Sequence, residues 1–357
     1  MPSSTLLDLR LDELEERLSD LPRYRAAQIW QGTYRTLASS YDEITTIPLP
    51  LRVRLAADLP FPTLEPVEEA TGENGSVCKH LFRLADGETI ESVSMEYPDR
   101  ASVCVSSQVG CAVGCPFCAT GQAGFVRDLT AGEIVAQVLH SARWFRARGR
   151  RLSHVVYMGM GEPLLNYEAT ILSIRILNDH EGFDLGARSF TVSTSGVAPA
   201  IERLAADAPQ VNLAVSLHAA DDRTRDQLVP INRRYPLATL LRTIRAYVDR
   251  THRRVTFEIA LLEGVNDAEA NAAAAAKLLA GLLCHVNLIP YNATPNSASR
   301  RSPEDRIRRF RDVLEAAGIP VTVRKSMGTD IEAGCGQLRA RVLKGSRTSG
   351  RSRPATP

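Results

Sequence analysis

Cys111-Ala-Val-Gly-Cys115-Pro-Phe-Cys118 brings three cysteines into eight residues, separated by three and then two others. Gly110 and Gly114 loosen this loop, so its thiolates can wrap around one soft metal centre. Thiolates are the ligands iron–sulfur clusters use. A [4Fe–4S] cubane takes four ligands, and three cysteines leave one iron open to a small molecule.

Three other readings compete for the loop. Cys115-Pro-Phe-Cys118 alone has the spacing of a thioredoxin-type redox pair. Such a pair belongs at the mouth of a helix directly after a strand, whereas periodicity predicts the next helix only from about Thr130. A structural zinc site wants four closed ligands, usually as paired knuckles, and no second knuckle follows. Haem attachment needs His after Cys118, where Ala119 stands. The cluster is preferred, with zinc and dithiol chemistry left open.

The 357 residues suffice for one large α/β domain and a small one. A net charge of +2 makes the chain no polycation, so any nucleic-acid contact needs local patches. No apolar run approaches a membrane span, and Met1 to Glu16 lacks the pattern of a signal peptide. Seven cysteines, an odd number bunched around one loop, do not read as a disulfide framework. The expectation is a cytoplasmic protein in a reducing compartment.

Residues 1–75 are expected to form a helical accessory domain, with apolar positions at helical spacing from Leu9 to Tyr34 and a further helix over Leu49–Leu59. Its arginines Arg23, Arg25 and Arg35 read as a solvated face or as phosphate contacts. Residues 76–100 read as a β-hairpin around Asp86-Gly87, with Glu91 an exposed acid on its second strand. From 101 to 343, seven strands alternate with helices: Val103–Ser107, Ser153–Met158, Ser189–Ser193, Val211–Leu217, Arg254–Leu261, Val286–Pro290 and Val321–Arg324. That alternation implies an α/β fold with a parallel sheet. Seven strands predict an open, partial TIM-type barrel with its active-site groups at the strands' C-terminal ends. Residues 344–357, rich in Ser, Arg, Pro and Gly, read as a disordered basic tail with weak affinity for RNA.

Polar residues recur at those strand ends. Gly159-Met-Gly161-Glu162-Pro163 lets a ligand approach the backbone and offers Glu162 to an ammonium group. Ser193-Thr-Ser-Gly196, Ser216-Leu217-His218 and Pro290-Tyr-Asn292 follow at the same rim, each alone compatible with capping or turn chemistry. Cys335, between Gly334 and Gly336, reads as a reactive thiol on an exposed turn.

The cysteine spacing resembles that of radical S-adenosylmethionine (SAM) enzymes. Together with Cys104-Val-Ser-Ser-Gln-Val-Gly-Cys111, Met158-Gly-Met-Gly-Glu-Pro-Leu-Leu-Asn166, Ser193-Thr-Ser-Gly-Val197, Ser216-Leu-His218 and Cys335-Gly-Gln-Leu338, the sequence is similar to the RlmN/Cfr family of radical SAM RNA adenine methyltransferases, in its RlmN branch. The similarity runs from the helical cap to about Leu343.

Carried over position by position, the resemblance implies that Cys111, Cys115 and Cys118 hold a [4Fe–4S] cluster. It implies SAM contacts from Gly161, Glu162, Ser193, Ser216, Leu217, His218 and Asn292. It makes Cys335 the residue that becomes S-methylated, Cys104 the second catalytic thiol and Glu91 the proton acceptor. The implied reaction methylates C2 of an adenosine in 23S rRNA and in tRNA and uses two SAM per turnover. One SAM methylates Cys335 and the other generates the radical that activates that methyl group. Cys104 then releases the product, leaving a Cys104–Cys335 disulfide. A flavodoxin or ferredoxin as electron donor and a monomeric chain complete the expectation. Methylation at C8, as in the Cfr branch, is the near alternative, and an iron–sulfur RNA-binding or electron-transfer protein the distant one.

Overall fold

The structure, a computed structural model, describes residues 5–72, 75–294 and 297–338. The tail expected over 344–357 lies outside the described residues.

The chain opens with three helices, α1 (Leu11–Arg17), α2 (Tyr24–Tyr34) and α3 (Leu49–Asp58). Strands β1 (Leu64–Thr71), β2 (Val77–Leu84) and β3 (Thr89–Glu96) follow as an antiparallel meander. The expected two-stranded hairpin therefore has a third strand. β1 gives little sequence signal because it is acidic and carries Pro66, where its register with β2 shifts. Proline is tolerated there because β1 is the edge strand.

β4 (Ala101–Cys104) pairs with β3 on one side and opens the parallel sheet on the other. It is followed by β5 (Gln108–Gly110), the cysteine loop, α4 (Ala119–Ala123) and β6 (Phe125–Asp128), which pairs back onto β5. α4 corrects the expectation that no helix begins before Thr130: a short helix starts directly after Cys118. Five residues are too few for periodicity to reveal it.

The regular alternation then runs α5 (Ala131–Arg146), β7 (His154–Tyr157), α6 (Tyr167–Asn178), β8 (Phe190–Thr194), α7 (Ala198–Asp207), β9 (Asn212–Ser216), α8 (Asp222–Leu228) and α9 (Leu237–Thr251). It ends with β10 (Val255–Leu261), α10 (Glu269–Leu279), β11 (Cys284–Pro290), α11 (Glu304–Ala316) and β12 (Val321–Val323). Helix α5 starts at a capping box: Thr130 Oγ1 accepts from the Glu133 N–H, and Glu133 accepts from the Thr130 N–H. The ten-stranded sheet runs β1-β2-β3-β4-β7-β8-β9-β10-β11-β12, parallel from β4 onward, with β1 and β12 at opposite edges. This is the open partial barrel, its seven parallel strands at the predicted places. β4 stops before Ser107 because the Gln137 side chain, rather than a neighbouring strand, pairs with both backbone groups of Ser106.

One apolar core joins the helical cap to the barrel, from Leu6, Ile29 and Trp30 through Phe145 to Phe257. The seam between them is sealed by cations on carbonyls. Arg35 donates to the His180 and Glu181 carbonyls, Arg143 to that of Leu37 and Arg146 to that of Thr36. Asp8 accepts from the Gly132 N–H at the positive end of α5, at 2.6 Å.

Candidate active site

The C-terminal ends of the parallel strands open into one cavity. Its lining includes Cys111, Cys115, Cys118, Gly161, Glu162, Ser193, Ser216, His218, Asn292 and Cys335. Most residues singled out in the sequence thus meet in one place. Leu217 does not line it: its side chain is fully buried and its carbonyl accepts from Arg225.

The cysteine loop turns at Gly110 and Gly114, both at positive φ, and the Cys111 N–H donates to the Gly124 carbonyl. Beneath it lies an apolar pad of Val113, Phe117, Ala219, Leu228, Val229, Ala260, Leu262 and Tyr291, with the three cysteines packed against it. Burial pushes the Cys111 thiol up to about 12 and Cys115 well above its ordinary value, with the neighbouring sulfurs adding to the rise at both. Three sulfurs crowded on an apolar pad suit a multivalent cation that would neutralise their thiolates. That donor chemistry fits a [4Fe–4S] cluster held by three protein sulfurs.

Around the pad the polar rim is closely wired. Gly161 sits at a φ of +102°, and a Cβ there would approach the Gln108 backbone nitrogen to 2.8 Å, so only glycine fits. The neighbouring Glu162 carboxylate accepts from the Ser195 N–H at 2.6 Å, the Ser195 hydroxyl at 2.7 Å and the Leu164 N–H at 3.0 Å. Burial raises its pKa, and these bonds oppose the rise. His218, at a φ of +58°, accepts on Nδ1 from the Ala260 N–H, and burial depresses its pKa to about 3, leaving a neutral ring.

Arg225 escaped the sequence reading. Its guanidinium is fully buried and donates to the carbonyls of Ser195, Ser216 and Leu217 and to Asn232 Oδ1. It ties the ends of β8 and β9 together behind the cavity wall. Asp221 caps its helix, and Arg225 lies in the run Asp222-Arg-Thr-Arg-Asp-Gln-Leu228, which reads like a solvated helix. Glu258 was missed too. This buried acid lines the cavity, accepts from Asn287 Nδ2 at 2.8 Å, and has its pKa raised by burial. Arg324 and Lys325 add positive charge to the lining.

Cys335 is stitched to the cluster loop. The Ala119 N–H donates to the Gly336 carbonyl at 2.8 Å, Thr120 Oγ1 to that of Leu338 at 2.6 Å, and Asn292 Nδ2 to that of Cys335 itself at 3.2 Å. The thiol is exposed to the cavity, but its surroundings do not hold it as a thiolate: burial pushes its pKa up and Arg324 opposes the rise. Glu258 and Cys118 also disfavour its charge, and Cys104 does not line the cavity. Cys104 is buried, its pKa raised to about 12 chiefly by burial. All seven cysteines are free thiols, so the structure contains no Cys104–Cys335 disulfide.

Glu91 corrects the residue-level reading. It is buried rather than exposed, 3% accessible, and pairs with Lys79 at 3.4 Å. It faces a neighbouring depression with Lys79, Asp330 and Glu332 rather than the main cavity.

Comparison with known proteins agrees with this geometry. Residues 105–276 match the model of the radical SAM superfamily. A protein of Chloroflexus aurantiacus named "Probable dual-specificity RNA methyltransferase RlmN" is 48% identical over 354 residues, covering 96% of this chain and 94% of its own length. One of the same name from Geobacillus kaustophilus is 44% identical over 346 residues, with 96% and 94% covered. The crystal structure of a radical SAM methyltransferase from Sphaerobacter thermophilus superposes with a TM-score of 0.93 at 57% identity, covering 94% of this chain and 99% of that one.

Proposed function

This chain belongs to the RlmN family of radical SAM RNA methyltransferases, and on that premise we propose that it methylates C2 of one adenosine in 23S rRNA near the peptidyl-transferase centre, and of adenosine in the anticodon loop of tRNAs. Family membership implies a [4Fe–4S] cluster and SAM and replaces the electron-carrier alternative.

The cluster would be held by Cys111, Cys115 and Cys118, and SAM would be met by Gly161, Glu162, Ser193, Ser216, Leu217 (through its backbone), His218 and Asn292. Bound there, two SAM per turnover would serve, one as methyl donor to Cys335 and one as source of the hydrogen-abstracting radical, with the cluster supplying the electron. The remaining work falls to the chain. C2 of adenine is electron-poor and SAM's methyl is electrophilic, so direct transfer is unfavourable, and a nucleophilic thiol splits the task. Cys335 carries the carbon and bonds through it to C2. The family resemblance assigns the C2 proton to Glu91, which lies in the adjoining depression, so the bound base would have to reach toward it. After the adduct gives up one electron, Cys104 as thiolate attacks the Cys335 sulfur and breaks its bond to carbon. The freed carbon takes up a proton to become the methyl group, and a disulfide is left for an external reductant. A flavodoxin or ferredoxin supplies electrons to a monomeric, cytoplasmic enzyme.

The observation that carries this reading is the stitching of the Cys335 segment to the cluster loop, which sets the Cys335 thiol in the same cavity as Cys111, Cys115 and Cys118. RNA must bring an unstacked base to that cavity, where Arg324 and Lys325 offer charge to its phosphates. The test is anaerobic reconstitution with iron and sulfide, then SAM, reductant and an rRNA fragment, with the product nucleosides mapped by mass spectrometry. The reading predicts 2-methyladenosine together with 5′-deoxyadenosine. Methylation at C8 alone would transfer the enzyme to the Cfr-type reaction.

A further inference from the structure

Away from the cavity, a second group of metal-ligating side chains gathers where the meander meets α5. Glu69 on β1 lies directly across from His80 on β2, and Cys78 projects from the same face of β2 two residues earlier. Glu69 Oε1 is 2.9 Å from His80 Nδ1, and Cys78 Sγ is 3.8 Å from the same nitrogen. The ligand atoms of these three residues all lie within 4.8 Å of one another. From α5, His140 brings its Nε2 to 3.2 Å from Glu69 Oε1. None of the four lines the cavity of the proposed methyl transfer.

We propose that Glu69, Cys78, His80 and His140 form a structural zinc(II) site that clamps the edge strand β1 to β2 and to helix α5. Four donors comprising one sulfur, two imidazole nitrogens and one carboxylate oxygen are a closed tetrahedral set for zinc. Bonds of about 2.0–2.1 Å to nitrogen or oxygen and about 2.3 Å to sulfur give tetrahedral edges of about 3.3 Å and about 3.6 Å. The separations of 2.9, 3.2 and 3.8 Å fall near those edges. The Glu69, Cys78 and His80 atoms nonetheless span up to 4.8 Å, and among them His140 hydrogen-bonds only Glu69. Binding an ion therefore requires the three to draw together and the His140 ring to turn in as the fourth ligand. The second ring nitrogen of His80 meets Ser94 Oγ at 2.9 Å, and Ser94 in turn donates to Ser141 at 3.0 Å. Such an outer hydrogen bond fixes the ring of a metal-bound histidine. Cys78 and His80 are fully buried, while the carboxylate of Glu69 reaches solvent and offers the ion a way in. The plain alternative, a carboxylate shared by two histidines with Cys78 accepting from Thr71 Oγ1 at 3.9 Å, accounts for the two Glu69 contacts and one on the sulfur, but not for the sulfur's approach to His80 Nδ1.

The test is metal analysis of the full chain with its iron–sulfur cluster assembled, after incubation with zinc chloride and desalting. The proposal expects one zinc per chain besides the cluster iron. Zinc-edge X-ray absorption should show one sulfur and three nitrogen or oxygen neighbours. A shell of three sulfurs would put the zinc in the cysteine loop and overturn the proposal, as would zinc no higher than background. His140→Ala, with its circular dichroism and melting compared with the parent chain, should weaken zinc retention against a chelator by at least about tenfold. Cys78→Ala should remove the sulfur neighbour. Unchanged retention in both variants also overturns the site.

Discussion

The seam between cap and barrel and the rim of the cavity are both rich in polar residues, yet they use them in opposite ways. At the seam, cations end on main-chain carbonyls: Arg35, which looks available for phosphate, on His180 and Glu181, and Arg143 and Arg146 of α5 on Leu37 and Thr36. At the rim, residues that look like turn chemistry hold the site, Ser195 on Glu162 and His218 on Ala260, and Arg225, which looks like part of a solvated helix, ties two strand ends. Charge density on a sequence therefore says little about what a charge touches. Position at the C-terminal end of a parallel strand says more, because the fold turns those positions toward one opening.

The contrast can be broken most forcefully at Arg225. Replacing it with Ala leaves three carbonyls and the Asn232 amide oxygen without their donor in the interior. Denaturant unfolding of Arg225→Ala should show a loss on the order of 3–5 kcal/mol. A loss below about 1 kcal/mol would mean that the two strand ends do not depend on this clamp.

His218 gives a smaller, pH-dependent effect. Its folded pKa of about 3 lies below its ordinary 6.5, so between those values the unfolded chain binds the extra proton. Stability should fall as pH drops from about 6.5 toward about 3, by at most about 1.4 kcal/mol per pH unit from this one group. His218→Asn should flatten that dependence, and an unaltered acid slope would show that the ring titrates freely in the folded state.

At the seam the expected effect is least. Arg146→Ala removes one hydrogen bond to a carbonyl, at a cost of about 1 kcal/mol, and should leave the KM for RNA within about twofold of the parent. A tenfold rise in KM with a shallower salt dependence would make this arginine an RNA ligand and erase the distinction between the two regions.

Much of this architecture was legible because parallel strands announce themselves as short apolar runs between helices, and all seven lie where the alternation puts them. The edge strand β1 was hidden by Pro66 and its acidic residues, and α4, β5 and β6 by their length. The cluster loop, the glycines of Gly159–Gly161 and the strand-end serines were visible as motifs. Glu91 was misjudged because alternation along one strand cannot reveal that both faces of the sheet are covered there. Arg225 and Glu258 left no signal, since burial of a charge depends on partners far away in the chain. The ligand group around His80 was equally silent, being split among β1, β2 and α5.

The central claim is that Cys335 carries the carbon to RNA and that Cys104 cuts it free. It is tested most directly by trapping the Cys104→Ala enzyme in the middle of turnover. After anaerobic incubation with SAM, reductant and rRNA, followed by nuclease and protease digestion, the Cys335 peptide should carry an adenosine joined through one carbon. An unmodified Cys335 peptide with free methylated RNA, or the nucleoside attached to another residue, would contradict it.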